Sequence, residues 1–350
     1  MGYRSAGRML ALSMTVLSPL CAQPVQAQDA ISVMSFGGAY QEAQRKAVFE
    51  TYTASTGIKV DEQEYGGEIA KIKAMIESGN TTVDAVDVDA PTLLQGCDEG
   101  IFEKIDWAKI GPEDDWIKGT TSDCGVGTIV YATILAYDGA KLPEGPKTIK
   151  DLFDTKKFPG KRGLWKNPAT NLEFALLADG VAPDKVYETL STPEGVDRAF
   201  AKLDTIKDSI VWWEAGAQAP QLLASGEVAM TTAWNGRIYN ANKEGKDFRI
   251  VWDNQILDSN YWVIPKGAKN PEASLAFIKY AAEPKVLADI TKYIPYGPVR
   301  KSAAEFVAPE DAKNLPTSPQ NLTVSLTLDN GFWADNGEEI RKRFTTWLAQ

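Results

Sequence analysis

The 350-residue sequence predicts an α/β fold built as two lobes. Three observations carry that expectation. Short apolar runs rich in valine and isoleucine alternate with segments of helical periodicity, as strands joined through helices require. The alternation pauses in a loop-rich stretch marked by Pro143, Pro146 and Lys156-Lys157-Phe158-Pro159-Gly160, and begins again at Arg162. The chain is also long enough for two domains with separate cores.

The chain opens with Arg4 and Arg8, an apolar stretch from Met9 to Leu20, and the small-residue site Val25-Gln26-Ala27. Residues 1–27 therefore read as a cleavable secretory signal peptide, too short for a stable membrane span. Leu20 precedes Cys21 where a lipoprotein wants a small residue, so Cys21 is expected to leave with the signal rather than carry a lipid.

In the first series, Ile31 to Phe36 is a strand, Gly37-Gly38 a turn, and Tyr40 to Ser55 an amphipathic helix facing inward through Ala43, Ala47, Val48 and Tyr52. Ile58 to Val60 is a second strand, Glu68 to Glu77 a second helix, and Val83 to Asp89 a third strand, broken at Pro91. This βαβαβ order implies parallel strands with helices on both faces. The long β-branched stretch Gly127 to Asp138 reads as a strand running between the lobes. In the second series, strands fit Arg162 to Trp165, Ser209 to Trp213, Val228 to Trp234 and Phe248 to Trp252. Helices fit Asn171 to Ala178, Glu194 to Ile206 and Gln218 to Ala224. Tyr261 to Pro265 carries the chain back, followed by helices from Pro271, from Pro284, and from Asn336 to Leu348.

Composition narrows the chemistry. Removing residues 1–27 takes away two arginines and no acid, moving the net charge from −10 to −12. That disfavours a nucleic-acid binder, whose phosphate contacts need a basic surface. Histidine is absent from the chain, which removes Ser-His-Asp and Cys-His catalysis and histidine metal sites together. Carboxylate-pair hydrolysis of a glycoside survives this filter and is the alternative function. Cys97 and Cys124 remain as an even pair in an exported chain and are expected to form a disulfide. No cofactor is expected.

The run Val228 to Arg237 reads as a buried strand whose C-terminal end opens into a ligand site. Ligands of α/β sheets sit beyond strand C-termini, where Trp234 and Arg237 fall. The competing reading is a core tryptophan beside a solvated arginine.

The ordered set Ser35-Phe36-Gly37-Gly38-Ala39-Tyr40, Thr56-Gly57-Ile58-Lys59-Val60, Val86-Asp87-Val88-Asp89, Gly226-Glu227-Val228-Ala229, Trp234-Asn235-Gly236 and Trp262-Val263-Ile264-Pro265-Lys266-Gly267-Ala268-Lys269-Asn270 resembles the periplasmic substrate-binding proteins of ABC importers, in the branch that binds polyamines and γ-aminobutyrate. The resemblance covers nearly the whole chain after residue 27. It implies a type II binding-protein fold, in which two lobes joined by two crossing hinge strands close on a ligand cleft. On it we expect one lobe from 28–133 with 263–300 and the other from 134–262 with 301–350. It also implies a monomer in the periplasm, not an enzyme, that hands a small amine or zwitterionic solute to an ABC permease and its ATPase.

Carried over by position, the resemblance implies ligand contacts at Phe36, Gly37, Gly38, Tyr40 and Asp89, at Tyr131 in the hinge, and at Glu214, Trp234, Asp258 and Asn260. Asp87 competes with Asp89 because both lie on one face of the strand. Asp89 has a second reading as a helix cap, and Glu214 as a surface acid. An ammonium losing its hydration needs carboxylates and aromatic faces, each cation–π contact being worth about 0.5–2 kcal/mol. Polyamine binders of the family tend to have an acid where Asn260 stands and a small residue where Arg237 stands. Arg237 would repel a full cation, whereas its planar fork suits a carboxylate. The expected ligand therefore carries an amine and an acid, as γ-aminobutyrate does, with putrescine and spermidine next.

Overall fold

The computed structural model describes residues 1–3, 30–322 and 324–350. All of the expected signal peptide beyond its first three residues, with Cys21, lies outside the described residues.

The strands are β1 (Ala30–Ser35), β2 (Lys59–Glu64), β3 (Ala85–Asp89), β4 (Thr121–Ser122), β5 (Gly125–Asp138), β6 (Arg162–Trp165), β7 (Ile210–Trp213), β8 (Met230–Trp234), β9 (Phe248–Val263) and β10 (Ser325–Thr327). They follow the order β2-β1-β3-β9-β5-β8-β6-β7, with β4 added to β5 and β10 to β9. β1 pairs parallel with β2 and β3, and β6 pairs parallel with β7 and β8. Two parallel sheets are thus the cores of two lobes, as helical connections between successive strands require.

β5 and β9 join the lobes. They run antiparallel from Val126 opposite Trp262 to Asp138 opposite Phe248. β9 enters the first lobe's sheet beside β3, with Asp89 opposite Asn260, and β5 enters the second lobe's sheet beside β8, with Thr133 opposite Trp234. The two crossing strands therefore place one strand end of each lobe next to the other.

One core packs Phe49, Tyr52, Trp262 and Phe277 between the sheet and the helices of the first lobe. The second gathers Leu164, Phe174, Phe200, Phe344 and Trp347. Val299 and Ala303 pack in the first core, whereas Leu326, Phe332 and Trp333 pack in the second. Cys97 and Cys124 form a disulfide with a sequence separation of 27, a loop whose closure contributes about 3.5 kcal/mol in the chain-entropy description.

Several element boundaries differ from the sequence reading for local reasons. The expected helix from Tyr40 to Ser55 is an α-helix over Gly38–Gln44, a π-helical turn over Arg45–Phe49, and an α-helix over Glu50–Thr56. β9 is one strand of 16 residues rather than two. The turn-like Asp253-Asn254-Gln255 is absorbed as a bulge, with Asn254 at φ 55 and a register shift between Thr133 and Leu135, because an antiparallel pair bends without ending at such a point. The last helix begins at Asn330 rather than Asn336, since Asp329 accepts from Phe332 N and caps it there.

Candidate functional site

At the crossing of the two lobes the strand ends enclose a cavity of about 140 Å³, lined by residues including Phe36, Tyr40, Asp89, Tyr131, Glu214, Trp234, Arg237 and Asn260. A second chamber of about 120 Å³ shares Asp89, Tyr131, Trp165 and Trp234 with it and continues to Asp258, Thr170 and Trp333. The first cavity is smaller than the roughly 300–1,000 Å³ of pockets for drug-sized ligands. Its size suits a small solute.

Asp89 is both a cap and a cavity wall. As the N-cap of the helix Ala90–Asp98, its Oδ1 accepts from Thr92 N at 3.0 Å. Burial raises its carboxyl above the usual range, opposed by the bonds from Thr92.

Asp87, two residues earlier, lies behind the wall. It is fully buried, and its carboxylate accepts from Tyr40 Oη at 2.6 Å, Gln44 Nε2 at 2.5 Å and Asn260 Nδ2 at 2.8 Å. Burial pushes it up to about 7 against the pull of those donors. Of the two acids on that face of β3, Asp89 lines the cavity and Asp87 holds its neighbours.

On the crossing strands, Asn260 and Ile129 are register partners, as are Tyr131 and Asp258. Tyr131 Oη donates to Asp258 Oδ2 at 3.0 Å, and Asn330 Nδ2 donates to Asp258 Oδ1 at 3.1 Å. Burial pushes Asp258 up to about 6. Asp258 belongs to the second chamber and does not line the first.

The second lobe supplies an aromatic wall and a cation. The Trp234 ring stands edge-on to Tyr131, Trp165 and Trp213 at 6.4, 5.8 and 5.6 Å. Arg237 makes no ion pair among the described residues, and its Nε is buried without a hydrogen-bond partner. Glu214 reaches the cavity but is exposed and paired with Lys166 Nζ at 2.7 Å.

Gly37 and Gly38 do not line the cavity. They act at one remove, both with positive φ: a Cβ on Gly37 would fall 2.7 Å from Glu64 Oε2, and one on Gly38 would fall 2.9 Å from Arg237 Nη1.

Four lining residues escape the sequence reading: Gly66, Ile129, Trp165 and Tyr296. Trp165 ends β6 as Trp234 ends β8, so the strand-end rule applied evenly would have found it. Tyr296 sits in the loop Ile294-Pro295-Tyr296-Gly297, which carries no comparable signal. The motif Trp234-Asn235-Gly236 also has a structural role. Asn235 accepts from Ala132 N at 3.0 Å and donates to Pro295 O at 2.7 Å, while Gly236 lies against Ile294 and Tyr296. The second lobe is thereby fastened to the loop bearing Tyr296.

Residues 47–319 match the bacterial extracellular solute-binding protein family. The chain is 45% identical to the γ-aminobutyric acid-binding protein of Pseudomonas aeruginosa, over 97% of this chain and 96% of that one. It is 23% identical to the spermidine/putrescine-binding periplasmic protein of Escherichia coli, over 83% of each. Among solved structures, that of a GABA receptor superposes with a TM-score of 0.82 at 36% identity, covering 92% of this chain and 98% of the other.

Proposed function

The chain belongs to the bacterial extracellular solute-binding protein family, and from that premise we propose that it captures a small ω-amino acid of the γ-aminobutyrate type between its lobes and delivers it to an ABC permease. The relatives are binding proteins of ABC transporters rather than enzymes, which sets aside the glycoside hydrolase. The observation that carries the ligand class is Arg237: a guanidinium on a small cavity, unpaired among the described residues, with its Nε buried and unpartnered. A carboxylate is the complementary group, forming charge-assisted hydrogen bonds in a fork geometry. Asp89 offers the opposite charge to an ammonium on the same cavity, and Trp234, Tyr131 and Tyr296 offer aromatic faces.

In this reading Phe36, Tyr40, Asp89, Tyr131, Trp234, Arg237 and Asn260 contact the solute, Glu214 lies at the rim, and Gly37, Gly38 and Asp258 support the wall. The lobes are 28–133 with the chain from 263 to a last passage between Ala303 and Leu326, and 134–262 with the chain after that passage. The protein works as a periplasmic monomer freed of residues 1–27, without a lipid anchor, beside a permease and its ATPase. Putrescine is the second reading, favoured by the extra carboxylate, Asp258, in the adjoining chamber.

Calorimetric titration of ligand-stripped protein with γ-aminobutyrate and putrescine tests this. Arg237→Ala should weaken γ-aminobutyrate binding about ten- to hundredfold, the value of a hydrogen bond to a charged group, and leave putrescine unaffected or improved. Tight putrescine binding with no response to γ-aminobutyrate would sink the proposal.

A further inference from the structure

The carboxylate of Asp87 does not line the cavity, yet two groups that do line it end on this carboxylate. Asn260 Nδ2 donates to Oδ1 at 2.8 Å, and Tyr40 Oη donates to Oδ2 at 2.6 Å. The third donor, Gln44 Nε2 at 2.5 Å, is pinned because Gln44 Oε1 accepts from Ser35 Oγ at 2.6 Å. Tyr65 Oη fastens the backbone, donating to Asp87 O at 2.5 Å.

Burial pushes Asp87 up to about 7, so at pH 8 its carboxylate is ionised and only accepts, and each side chain beside it must turn a donor toward it. For Asn260 that fixes the amide: Nδ2 faces Asp87, and Oδ1 faces away without a hydrogen-bond partner among the described residues. For Tyr40 the hydroxyl proton points to Asp87, leaving oxygen lone pairs for other neighbours, of which Thr128 Oγ1 stands at 3.2 Å. Of the two cavity-lining side chains, Asn260 is thus oriented as an acceptor, while the Tyr40 hydroxyl is shared between Asp87 and Thr128.

Resting on the ligand being an ammonium-bearing solute, we infer that Asp87 is a positioning residue that sets the polarity of the amine end of the cavity. It holds Asn260 with its acceptor inward, so that the ammonium meets a neutral oxygen beside the charge of Asp89. A buried acid therefore selects for a cation without touching it. An amide at position 87 can donate as well as accept, which would free Asn260 to turn its NH₂ group toward the ammonium.

The test compares wild type, Asp87→Asn, and the swap variant Asp87→Asn with Asn260→Asp, each titrated at pH 8 with γ-aminobutyrate and with putrescine while the melting temperature of the ligand-free form is recorded. We expect Asp87→Asn to bind the ammonium ligand at least tenfold more weakly without a lower melting temperature, since it replaces a buried charge by a neutral amide. The swap restores an inward acceptor at 260 facing a donor at 87, and should recover affinity to within about threefold. If Asp87→Asn melts lower, recovery in the swap variant still decides for positioning. Unchanged affinity in Asp87→Asn, or no recovery in a folded swap variant, overturns the inference and leaves the ligand assignment standing. Failure of wild type to bind either compound overturns the ligand assignment itself.

Discussion

Arg237, from the second lobe, lies over the backbone of Gly38 in the first, so closely that a Cβ on Gly38 would fall 2.9 Å from Arg237 Nη1. A glycine thus shapes the guanidinium's position without lining the cavity. Gly38→Ala should push the guanidinium away from its seat and weaken γ-aminobutyrate binding tenfold or more. It also places alanine at φ 58, a left-handed conformation costing about 1–2 kcal/mol. Gly57→Ala separates the two effects: Gly57 has φ 78 and open space around its Cβ position, so that variant should lose stability but keep affinity. Calorimetry and thermal melts of both variants check this.

Trp234 is expected to act through its π face rather than its bulk. Trp234→Leu keeps an apolar, though smaller, side chain against Trp165 and Trp213 and removes the quadrupole that attracts an ammonium. The loss should be about 0.5–2 kcal/mol of binding free energy, roughly two- to thirtyfold in affinity. If Trp234→Leu binds as tightly as wild type, Trp234 is a core residue that happens to border the cavity.

Stability should depend on pH in an unusual direction. Asp87 and Glu173 are pushed by burial to about 7 and Asp258 to about 6, against about 4 for unfolded carboxyls. Where the folded-state value is the higher one, the folded protein holds the proton more tightly, and stability falls as pH rises through that window. Each pKa unit of difference is worth about 1.4 kcal/mol. The ligand-free protein should therefore melt at a higher temperature at pH 5 than at pH 8. Glu173→Gln, which keeps an acceptor for Trp333 Nε1 and Tyr187 Oη, should flatten the slope. Below about pH 4 the trend should reverse as Asp115, Asp151 and Asp289 lose the hydrogen bonds and ion pairs that outweigh burial and hold them below the usual range. Melting curves across pH 3–9 for wild type and Glu173→Gln check the sign.

What was legible in the sequence follows from how locally each feature is encoded. The strand order of the first lobe was readable because β1, β2 and β3 are each bounded by glycine or proline and separated by helical periods. Trp234 and Asp89 were readable because they end strands. β9 was not read as one strand, since the polar Asp253-Asn254-Gln255 has the composition of a turn and only pairing with β5 keeps it extended. Tyr296 was missed because its place at the cavity depends on Asn235 and Gly236, some sixty residues away in sequence. The division of labour between Asp87 and Asp89 was also hidden. Both point to the same side of one strand, and the difference arises from Gln44, Tyr40 and Asn260 closing over one of them.

The π-helical turn over Arg45–Phe49 lets this helix carry one residue more than its faces require. A π turn holds one residue more than the α-helix around it and takes that residue up within itself, turning through nearly the angle, about 400°, that four residues of α-helix cover. Both flanks therefore keep their facing, Tyr40 and Gln44 toward Asp87 and Phe49 and Tyr52 toward the core. Deleting a single residue there would let the run close into regular helix with little rotation of one flank against the other. Side-chain identity on these two faces therefore constrains the segment more than its length does, and a one-codon deletion inside the turn would leave the cleft side chains where they stand.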